Sequence, residues 1–391
     1  MDWSFLIKNK DALCVTTDSR KVTPGCVFVA LKGEHFDGNA FVEQAKATGA
    51  AYVISGENAL IQLQDLARAW RRELGLPILG ITGTNGKTTT KELCAAVLST
   101  KYKLYYTQGN LNNQLGVPLT LLNITRAHEM AIVEMGASHP GDIKELVEIA
   151  EPNCGLITNV GRAHLEGFGS FEGVQKTKAE LYDYLRAHGG FCFRNVDNPY
   201  LAQMVGDLKT VAYRTGTMPE GTHLVGNYNA ENVSAALCVG HYFGIPEEQA
   251  LAAIRAYVPS NNRSQLVQTV KNTIVVDAYN ANPTSMTAAI EAFSNDQRQT
   301  TGNRCFILGA MRELGEYSHL EHQNIVNMLL ERKADQVLLV GEEYKTTTAP
   351  YPVFDNVEAL CEYMKDHPIT GARILLKGSR STQMEKVLPL L

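Results

Sequence analysis

The chain has 391 residues, of which 45% are hydrophobic and 20% are charged. At roughly 100–200 residues per domain, this length predicts two or three domains rather than one compact core. Lysine and arginine number 36 against 41 aspartate and glutamate, which gives a formal net charge of −5. This charge argues against a general nucleic-acid-binding protein, because phosphate contacts require a basic face.

The sequence also argues against a membrane or secreted protein. No apolar run approaches the ~20 residues needed to span a bilayer, and charged residues interrupt the N-terminal segment. The eight cysteines are scattered singly, so neither a zinc cluster nor a disulfide framework is expected. These features predict a cytoplasmic protein with reduced thiols.

Apolar patterns divide the chain into three blocks. The first, residues 1–76, has short apolar, strand-like segments at 26–31 and 52–54 and helical spacing at 41–47 and 60–74. In the second block, 77–262, strands are predicted at 78–82, 130–135, 155–160 and 191–194, with helices at 87–99, 143–150, 174–186 and 229–243. The third block, 263–391, has predicted strands at 273–277, 305–308, 337–340 and 373–377, with helices between them.

Alternating strands and helices of this kind predict parallel sheets flanked by helices. The predicted fold class is therefore α/β with three domains. A small α/β N-terminal domain precedes a central parallel-sheet domain of the P-loop ATPase type, and a Rossmann-like α/β domain ends the chain.

The strongest motif is a glycine-rich loop between a predicted strand and a predicted helix, Gly80-Ile-Thr-Gly-Thr-Asn-Gly-Lys-Thr88. Gly83 and Gly86 let backbone N–H groups close around phosphate oxygens, and the helix N-terminus adds partial positive charge. Lys87 can reach the β- and γ-phosphates, while the Thr88 hydroxyl can bind magnesium. A chance glycine turn is the alternative, but the strand–loop–helix context favours a nucleoside triphosphate site.

Polar residues also follow other predicted strands, which is where open α/β sheets bind ligands. Glu134 ends one strand and suits a magnesium ion beside a phosphate loop, and His164 follows the next strand. Taken singly, each has an ordinary structural explanation. Lys176 and Lys178 lie on an amphipathic helix, where lysines are usually solvated.

Asn229 and Asn232 lie one turn apart at a helix start and can present amide groups to a purine edge, although asparagine there is equally an ordinary N-cap. In the last block, three loops follow strands, at 277–285, 308–315 and 377–380. Any one of these loops could be a tight turn, but three on one sheet edge favour a binding face.

Together these motifs resemble the Mur ligase family over essentially the whole chain. Ile81-Thr-Gly-Thr-Asn-Gly-Lys-Thr-Thr89 is similar to the family's ATP loop. Thr16-Thr-Asp-Ser-Arg20 resembles the N-terminal segment that binds the UDP of a UDP-muramoyl peptide, and residues 107–118 resemble the loop that faces nucleotide and substrate. Segments 277–283, 308–315 and 377–380 resemble the branch of the family that adds D-alanyl-D-alanine.

The resemblance implies an ATP-dependent ligase that joins D-alanyl-D-alanine to UDP-N-acetylmuramoyl-tripeptide through an acyl phosphate, in peptidoglycan precursor synthesis. It implies ATP, two magnesium ions and a carbamylated lysine. The expected partners are these small molecules, without nucleic acid or membrane, and a monomer is expected. Two alternatives stay open: a ligase of the same superfamily that adds another amino acid, and a degenerate nucleotide-binding scaffold.

The resemblance also implies residue roles and the domains in which they lie: UDP binding at 1–76, ATP binding at 77–262 and acceptor binding at 263–391. The expected catalytic residues are Lys87, Glu134, His164 and Lys178. The expected ATP contacts are Gly83, Thr84, Asn85, Gly86, Lys87, Thr88, Thr89, Asn229, Asn232, Arg263 and Asp277. The expected magnesium ligands are Thr88, Glu134, His164 and the carbamate of Lys178. The expected substrate contacts are Ser19, Arg20, Asn110, Asn112, Asn113, Asn280, Asn282, Lys377, Ser379 and Arg380. A hinge at 259–263 is expected to close the last domain over ATP.

Overall fold

A computed structural model describes residues 2–34, 36–260, 262–296 and 303–391. The strands form three separate sheets, and each sheet is packed against helices. The predicted three-domain α/β fold class is confirmed. None of the helices in the described ranges is long and apolar enough to cross a membrane. Position 261, inside the predicted hinge, lies outside the described residues.

The first unit is built on a parallel three-stranded sheet of order β1-β2-β3. Its elements are α1 (Ser4–Ile7), β1 (Val15–Thr16), β2 (Val27–Val29), α2 (Val42–Ala47), β3 (Tyr52–Ile54) and α3 (Ala59–Leu74), with 3-10 turns at Ser19–Lys21 and Gly38–Phe41. Helix α3 ends at Gly75, whose φ of 64° is the left-handed C-cap that the sequence predicts.

One pair of cysteines departs from the expectation of singly scattered thiols, and the other six are free. Strands β1 and β2 pair in parallel with Val15 opposite Val27, which brings the two preceding residues together. Cys14 and Cys26 therefore lie with their Cα atoms 4.6 Å apart, and the structure joins them in a disulfide. The sequence pattern does not predict β1, and without β1 the two cysteines have no reason to meet.

The central unit has a six-stranded, wholly parallel sheet of order β5-β6-β4-β7-β8-β9. Its strands are β4 (Ile78–Thr82), β5 (Leu104–Tyr106), β6 (Met130–Glu134), β7 (Cys154–Ile157), β8 (Phe191–Asn195) and β9 (Thr210–Tyr213). Its helices are α4 (Lys87–Leu98), α5 (Gly116–Leu122), α6 (Asp142–Ala150), α7 (Leu165–Phe168), α8 (Phe171–Ala187), α9 (Pro199–Met204), α10 (Asn229–Tyr242) and α11 (Glu247–Ala256).

Burial on both faces explains why the inner strands are continuous apolar runs. Every residue of β4, β6 and β7 is buried. Along β4, Ile78 packs into the hydrophobic cluster on one face and Leu79 into the cluster on the other. The carboxyl ends of these three strands lie side by side, so the loops that follow β4, β6 and β7 meet at one edge.

The last unit has a six-stranded sheet of order β10-β11-β15-β12-β13-β14. Its strands are β10 (Gln265–Gln268), β11 (Thr273–Asp277), β12 (Asn303–Gly309), β13 (Gln336–Val340), β14 (Val353–Phe354) and β15 (Ala372–Lys377). Its helices are α12 (Pro283–Asn295), α13 (Ser318–Glu331), α14 (Glu342–Lys345) and α15 (Val357–Asp366), with 3-10 turns at Gly315–Tyr317, Arg380–Thr382 and Met384–Leu390.

This sheet is mixed, whereas the sequence predicts a parallel one. The edge strand β10 runs antiparallel to β11, and the other pairings are parallel. Because β11 and β15 are parallel partners, Asp277 lies opposite Lys377 at their carboxyl ends. The loops after β11, β12 and β15 therefore share one edge of the sheet, as predicted.

Candidate active site

A cavity of about 790 Å³ lies between the carboxyl edges of the central and last sheets. Most of the predicted site residues line it: Thr84, Asn85, Gly86, Lys87, Thr88, Thr89, Asn110, Asn112, Asn113, Glu134, His164, Asn229, Asn232, Arg263, Asp277, Asn280, Asn282 and Lys377. The cavity lining does not include Gly83, Lys178, Ser19, Arg20, Ser379 or Arg380. The two sheets thus bring together residues from Thr84 to Lys377 that are far apart in sequence.

The phosphate loop is held against β7 at a distance that only glycine permits. Gly83 has a φ of 143°, and a β-carbon there would lie 2.0 Å from Oγ1 of Thr158. Gly86 has a φ of 77°, and a β-carbon there would lie 2.4 Å from Oδ1 of Asn232. The Thr158 hydroxyl donates to the carbonyl of Asn85 at 2.6 Å. The loop is therefore fixed before any nucleotide binds.

Lys87 folds back over its own loop. Its ammonium group donates to the carbonyls of Gly83 at 2.8 Å and Thr84 at 3.0 Å. Burial lowers the pKa of Lys87 to about 8, with Glu134 opposing the shift. An ammonium ion held only by carbonyls at the mouth of a helix N-terminus can turn toward an incoming phosphate.

Glu134, at the end of β6, is buried beside the start of α4. Its Oε1 accepts from the Thr88 hydroxyl at 3.2 Å and from the Asn112 amide at 2.9 Å. Its Oε2 is buried and accepts no hydrogen bond from any residue that the structure describes. A buried carboxylate oxygen without a donor, next to a threonine hydroxyl, fits the oxygen donors that magnesium takes beside a phosphate loop.

Lys91 is a functional candidate that the sequence analysis missed. Its side chain is fully buried on α4, and its Nζ lies 3.8 Å from Oε2 of Glu134 and 3.0 Å from Oε1 of Glu92. It also donates to the carbonyl of Thr107 at 2.7 Å. The signal was present, because Lys91 follows the phosphate loop by one helical turn.

The other predicted metal residues do not form a closed cage. Across the described ranges, no three histidine, cysteine, aspartate or glutamate side chains converge on one point. A magnesium shell built on Thr88 and Glu134 is therefore open on the cavity side, where phosphate oxygens and water would complete it.

His164 contacts a residue of the last unit. It precedes α7 with a φ of 50°, and its Nδ1 meets Oε2 of Glu313, which has a φ of 60°. Burial lowers the pKa of His164 while the Glu313 carboxylate opposes the shift. Glu313 was not predicted, although it lies in the 308–315 loop and, like Glu134, is an acidic residue beyond a buried strand.

Lys178 is buried, whereas the spacing alone suggested a solvated lysine. It is 2% exposed, and its Nζ lies over the Phe168 ring, 5.6 Å from the ring centre. Burial, followed by the charge of Lys87, holds the pKa of Lys178 well below its usual range. By contrast Lys176, on the same helix, is exposed.

Asn229 and Asn232 line the cavity, but their amide groups are engaged within the protein. Asn232 donates to Oδ1 of Asn229 at 2.9 Å and accepts from the Thr90 hydroxyl at 3.0 Å. Asn229 donates to the carbonyl of Val225 at 2.7 Å. These bonds tie α10 to α4, and the contact of both residues with a purine stays a prediction.

A charged network lies at the edge of the last sheet. Asp277 accepts from Lys377 at 2.5 Å and from the backbone N–H of Ser264 at 3.2 Å. Lys377 also donates to the carbonyl of Asn280 at 3.1 Å. Ser379 is buried and donates to the carbonyl of Ala310 at 2.8 Å, so it links the loops that follow β12 and β15.

Two guanidinium groups flank one tyrosine in the same region. The Arg263 guanidinium carbon lies 3.8 Å from the centre of the Tyr279 ring, and that of Arg380 lies 5.5 Å away. Arg263 and Tyr279 line the cavity, whereas Arg380 does not.

The central and last units touch at the phosphate loop itself. Asn282 accepts from the backbone of Ser285 as the N-cap of α12, and its amide donates to Oδ1 of Asn85 at 2.8 Å. A second contact joins Arg162 to Glu321 at 3.1 Å. Both contacts join the central and last units.

Ser19 and Arg20 lie apart from the cavity, in a 3-10 turn of the first unit. Asp18 caps the turn and holds the Arg20 side chain through two hydrogen bonds of 2.9 and 2.8 Å. The same bonds lower the pKa of Asp18 to about 2. The exposed Arg20 guanidinium is thus held in one orientation in the turn that follows β1.

Sequence profiles of known families cover all three units. Residues 81–219 match the Mur ligase middle domain, residues 262–380 match the glutamate ligase domain of Mur ligases, and residues 13–99 match the Mur ligase catalytic domain. The chain belongs to the Mur ligase family. The resemblance proposed from the sequence motifs is confirmed.

Within the Mur ligase family, the similar curated proteins carry one name. The chain is 33% identical to the UDP-N-acetylmuramoyl-tripeptide--D-alanyl-D-alanine ligase of Bacillus subtilis, covering 96% of this chain and 92% of that protein. It is 34% identical to the ligase of the same name from Escherichia coli, again covering 96% of this chain and 92% of the relative.

Solved structures of this Mur ligase branch, named MurF, have the same fold. The MurF ligase of Thermotoga maritima in complex with ADP superposes with a TM-score of 0.86 at 28% identity, covering 98% of both chains. A MurF structure from Acinetobacter baumannii gives a TM-score of 0.84 at 28% identity, covering 96% of this chain and 92% of that one.

Proposed function

We propose that this Mur ligase is an ATP-dependent peptide ligase that joins D-alanyl-D-alanine to UDP-N-acetylmuramoyl-tripeptide in peptidoglycan precursor synthesis. One observation carries the proposal: the phosphate loop, Glu134 and the strand-end loops of the last unit line a single cavity. Residues 1–76 bind the UDP portion, residues 77–262 bind ATP, and residues 263–391 bind the acceptor dipeptide. The protein acts as a monomer in the cytoplasm, where ATP and nucleotide-linked precursors are made.

The reaction needs activation of a carboxylate. A carboxylate is a poor electrophile because it is anionic and its leaving group would be oxide. Its oxygen therefore attacks the γ-phosphorus of ATP, which releases ADP and forms an acyl phosphate. The dipeptide amine then attacks the acyl carbon, and the tetrahedral intermediate expels inorganic phosphate and loses a proton to form the amide.

The chain's own residues bring the two anions together. The backbone of the Gly83–Thr88 loop and the N-terminus of α4 surround the phosphates, and Lys87 turns from its loop carbonyls to the γ-phosphate. Asn282 holds the last unit against the phosphate loop through Asn85. This contact limits the access of water to the acyl phosphate, which would otherwise hydrolyse.

Magnesium would be held by Thr88 and Glu134 beside the phosphates, with a second ion at His164 and a carbamate on Lys178. A bound magnesium ion neutralises charge on the two approaching anions. The buried Oε2 of Glu134, which accepts no hydrogen bond from the described residues, supports the first position. The lowered pKa of Lys178 supports the second, because a neutral amine adds to carbon dioxide and loses a proton to give the carbamate.

The remaining sequence-based assignments complete the proposal. Gly83 to Thr89, Asn229, Asn232, Arg263 and Asp277 are assigned to ATP. Ser19 and Arg20 are assigned to UDP, and Asn110, Asn112, Asn113, Asn280, Asn282, Lys377, Ser379 and Arg380 to the peptide substrates.

A phosphate-release assay with a panel of acceptors tests the reaction. With UDP-N-acetylmuramoyl-tripeptide and ATP, D-alanyl-D-alanine is expected to stimulate phosphate release and to yield one amide product per phosphate by mass spectrometry. Stimulation by another amino acid instead would identify a different ligase of the superfamily. ATP binding without turnover for any acceptor would identify a nucleotide-binding scaffold.

The carbamate has its own test. Lys178→Ala is expected to lose most activity and to regain part of it with a short-chain carboxylic acid, which replaces the missing carboxylate. Lys176→Ala, an exposed position on the same helix, is the matched control and is expected to keep full activity. An active Lys178→Ala enzyme would remove the carbamate from the mechanism.

A further inference from the structure

Two residues in the left-handed backbone region face each other across the interface between the central and last units. His164 has a φ of 50° and Glu313 a φ of 60°. Residues other than glycine rarely adopt this conformation, and strained positions of this kind are found where a site imposes a particular geometry. Regular secondary structure does not require the left-handed conformation of either residue, because His164 precedes α7 and Glu313 lies in a loop after β12.

The two turns are joined through main chain and side chain. The backbone N–H of Glu166 donates to the carbonyl of Glu313 at 3.3 Å. Gly315 lies so close that a β-carbon there would be 3.4 Å from the Cβ atom of Glu166. The Glu313 carboxylate meets Nδ1 of His164. The backbone contacts between the two turns therefore hold the Glu313 and His164 side chains together.

The Glu313 loop is also anchored from behind, within its own unit. The backbone N–H of Met311 donates to Nε2 of the buried His322 at 3.0 Å, and the Ser379 hydroxyl donates to the carbonyl of Ala310 at 2.8 Å. The neighbouring Arg312 is paired with Glu343 instead of with Glu313. Glu313 therefore moves with the last unit as a rigid body, and it reaches His164 only when that unit is closed.

The direction of the contact determines what His164 can do. A carboxylate accepts the Nδ1–H proton of an imidazole and so leaves the Nε2 lone pair free. Metal-binding histidines generally donate their second ring N–H to a carboxylate or carbonyl, which fixes both the tautomer and the ring orientation. The Glu313–His164 pair has this arrangement, with the carboxylate supplied by a different unit of the chain.

We infer that Glu313 is a positioning residue that fixes His164 as its Nδ1–H tautomer, so that the histidine is ready to bind magnesium only when the last unit closes. Closure and metal binding are then coupled through one carboxylate. This inference rests on the proposed role of His164 as a magnesium ligand.

Manganese binding tests the inference without turnover. With a non-hydrolysable ATP analogue, Mn²⁺ titration followed by electron paramagnetic resonance measures the metal affinity of each variant. Glu313→Ala is expected to weaken the His164-dependent site about 10–100-fold, the range typical of lost partners of metal-bound histidines. Glu313→Gln is expected to lose less, because its amide oxygen still accepts the Nδ1–H proton.

Glu321→Gln is the matched control, because Glu321 forms another ion pair between the same two units and the glutamine oxygen can still accept the Arg162 hydrogen bond. It is expected to bind Mn²⁺ as the unaltered protein does. Unaltered Mn²⁺ affinity in Glu313→Ala would overturn the inference, and so would equal losses in Glu313→Gln and Glu313→Ala.

A second readout does not depend on metal. Nitrogen-15 NMR of histidine-labelled protein reports the tautomer of His164, whose signals are assigned with His164→Asn. The Nδ1–H form is expected in the unaltered protein and a mixture in Glu313→Ala, whereas an Nε2–H form in the unaltered protein would refute the inference. A third outcome separates the two proposals. If the unaltered protein shows the Nδ1–H form but His164→Asn keeps full Mn²⁺ binding, His164 is not a magnesium ligand, and Glu313 still fixes its tautomer.

Discussion

Gly83 sets the distance between the phosphate loop and β7. Alanine there would place its β-carbon 2.0 Å from the Thr158 hydroxyl oxygen and 3.0 Å from the Thr158 nitrogen, so the loop must move. We expect Gly83→Ala to abolish acceptor-stimulated phosphate release and to weaken ADP binding strongly, measured by calorimetry. Gly189→Ala is the control, because its φ of 70° is also left-handed but nothing lies within 4 Å of the new atom. The control is expected to cost about 1 kcal/mol of stability and no activity. Equal ADP affinity in both variants would contradict this explanation.

Lys91 places a buried positive charge between two carboxylates. Removal of one partner of a buried ion pair leaves an uncompensated charge, so Lys91→Met is expected to lower the free energy of unfolding by about 3–5 kcal/mol. Lys101→Met is the control, because exposed Lys101 donates to the main-chain carbonyls of Phe243 and Gly244 and lies over the Tyr102 ring, and about 1 kcal/mol or less is expected. Urea unfolding measures both variants. Equal stability of the two would show that Glu134 does not need the Lys91 charge.

Local residue patterns predict only part of this site. The phosphate loop could be recognised in the sequence because its residues are contiguous and the spacing of its glycines, lysine and threonine is typical of phosphate binding. Glu313 could not be paired with His164, because the two are 149 positions apart and meet only through the packing of two units. Lys178 could not be distinguished from an ordinary surface lysine by spacing, since its burial depends on which face of α8 packs against the sheet.

At the level of elements, helix α13 carries a buried histidine that supports the loop after β12. Neutral His322 donates from Nδ1 to the carbonyl of Ser318 at 2.7 Å and accepts at Nε2 from Met311. Burial lowers the pKa of His322 below its ordinary value of 6.5. Protonation at Nε2 removes the acceptor, so acid is expected to release the loop.

The sign of the resulting pH dependence follows from linkage. The pKa of His322 is lower in the folded state than in the unfolded state, so the unfolded state binds more protons. The stabilisation by neutral His322 is therefore complete above the pKa of the unfolded state. It is lost as the pH falls through the pKa of the folded state. Hydrogen exchange of α13, corrected for intrinsic rates, is expected to show level protection above about pH 6.5 and falling protection as the pH drops below that value. His322→Gln should flatten this dependence, whereas the control at exposed His367, His367→Gln, should not. Parallel curves for the unaltered protein and His322→Gln would contradict the prediction.

Burial explains which elements the sequence predicts correctly. Strands β4, β6 and β7 are buried throughout, so their apolar runs are unmistakable. Strand β5 is half-buried along its whole length and β10 alternates between half-buried and exposed, and both lie at sheet edges. Their weak patterns left both strands unpredicted, and with β10 the mixed character of the last sheet.

At the level of the whole molecule, the two larger units act as one site because their strand ends face each other. The polar contacts between them include Asn85 with Asn282, Arg162 with Glu321, and His164 with Glu313, together with a backbone bond from Glu166 to Glu313. Interfaces of this kind are weak enough to open. Opening of the cavity for substrate entry and product release therefore requires these bonds to break, and bound nucleotide is expected to favour their formation.

Asn282 allows closure to be separated from helix capping. The side chain accepts from Ser285 to cap α12 and donates its amide to Asn85 at 2.8 Å. Asn282→Asp keeps the capping oxygen but removes the amide donor, whereas Asn282→Ala removes both. Loss of one interdomain hydrogen bond of about 0.5–1.5 kcal/mol predicts roughly 2–10-fold weaker ADP binding in Asn282→Asp, with little loss of stability. Asn282→Ala is expected to lose a further ~1 kcal/mol of stability from the missing cap.

Small-angle X-ray scattering with ADP should show a larger radius of gyration for both variants than for the unaltered protein. Asn282→Asp that binds ADP and compacts like the unaltered protein would show that the Asn85 contact does not contribute to closure.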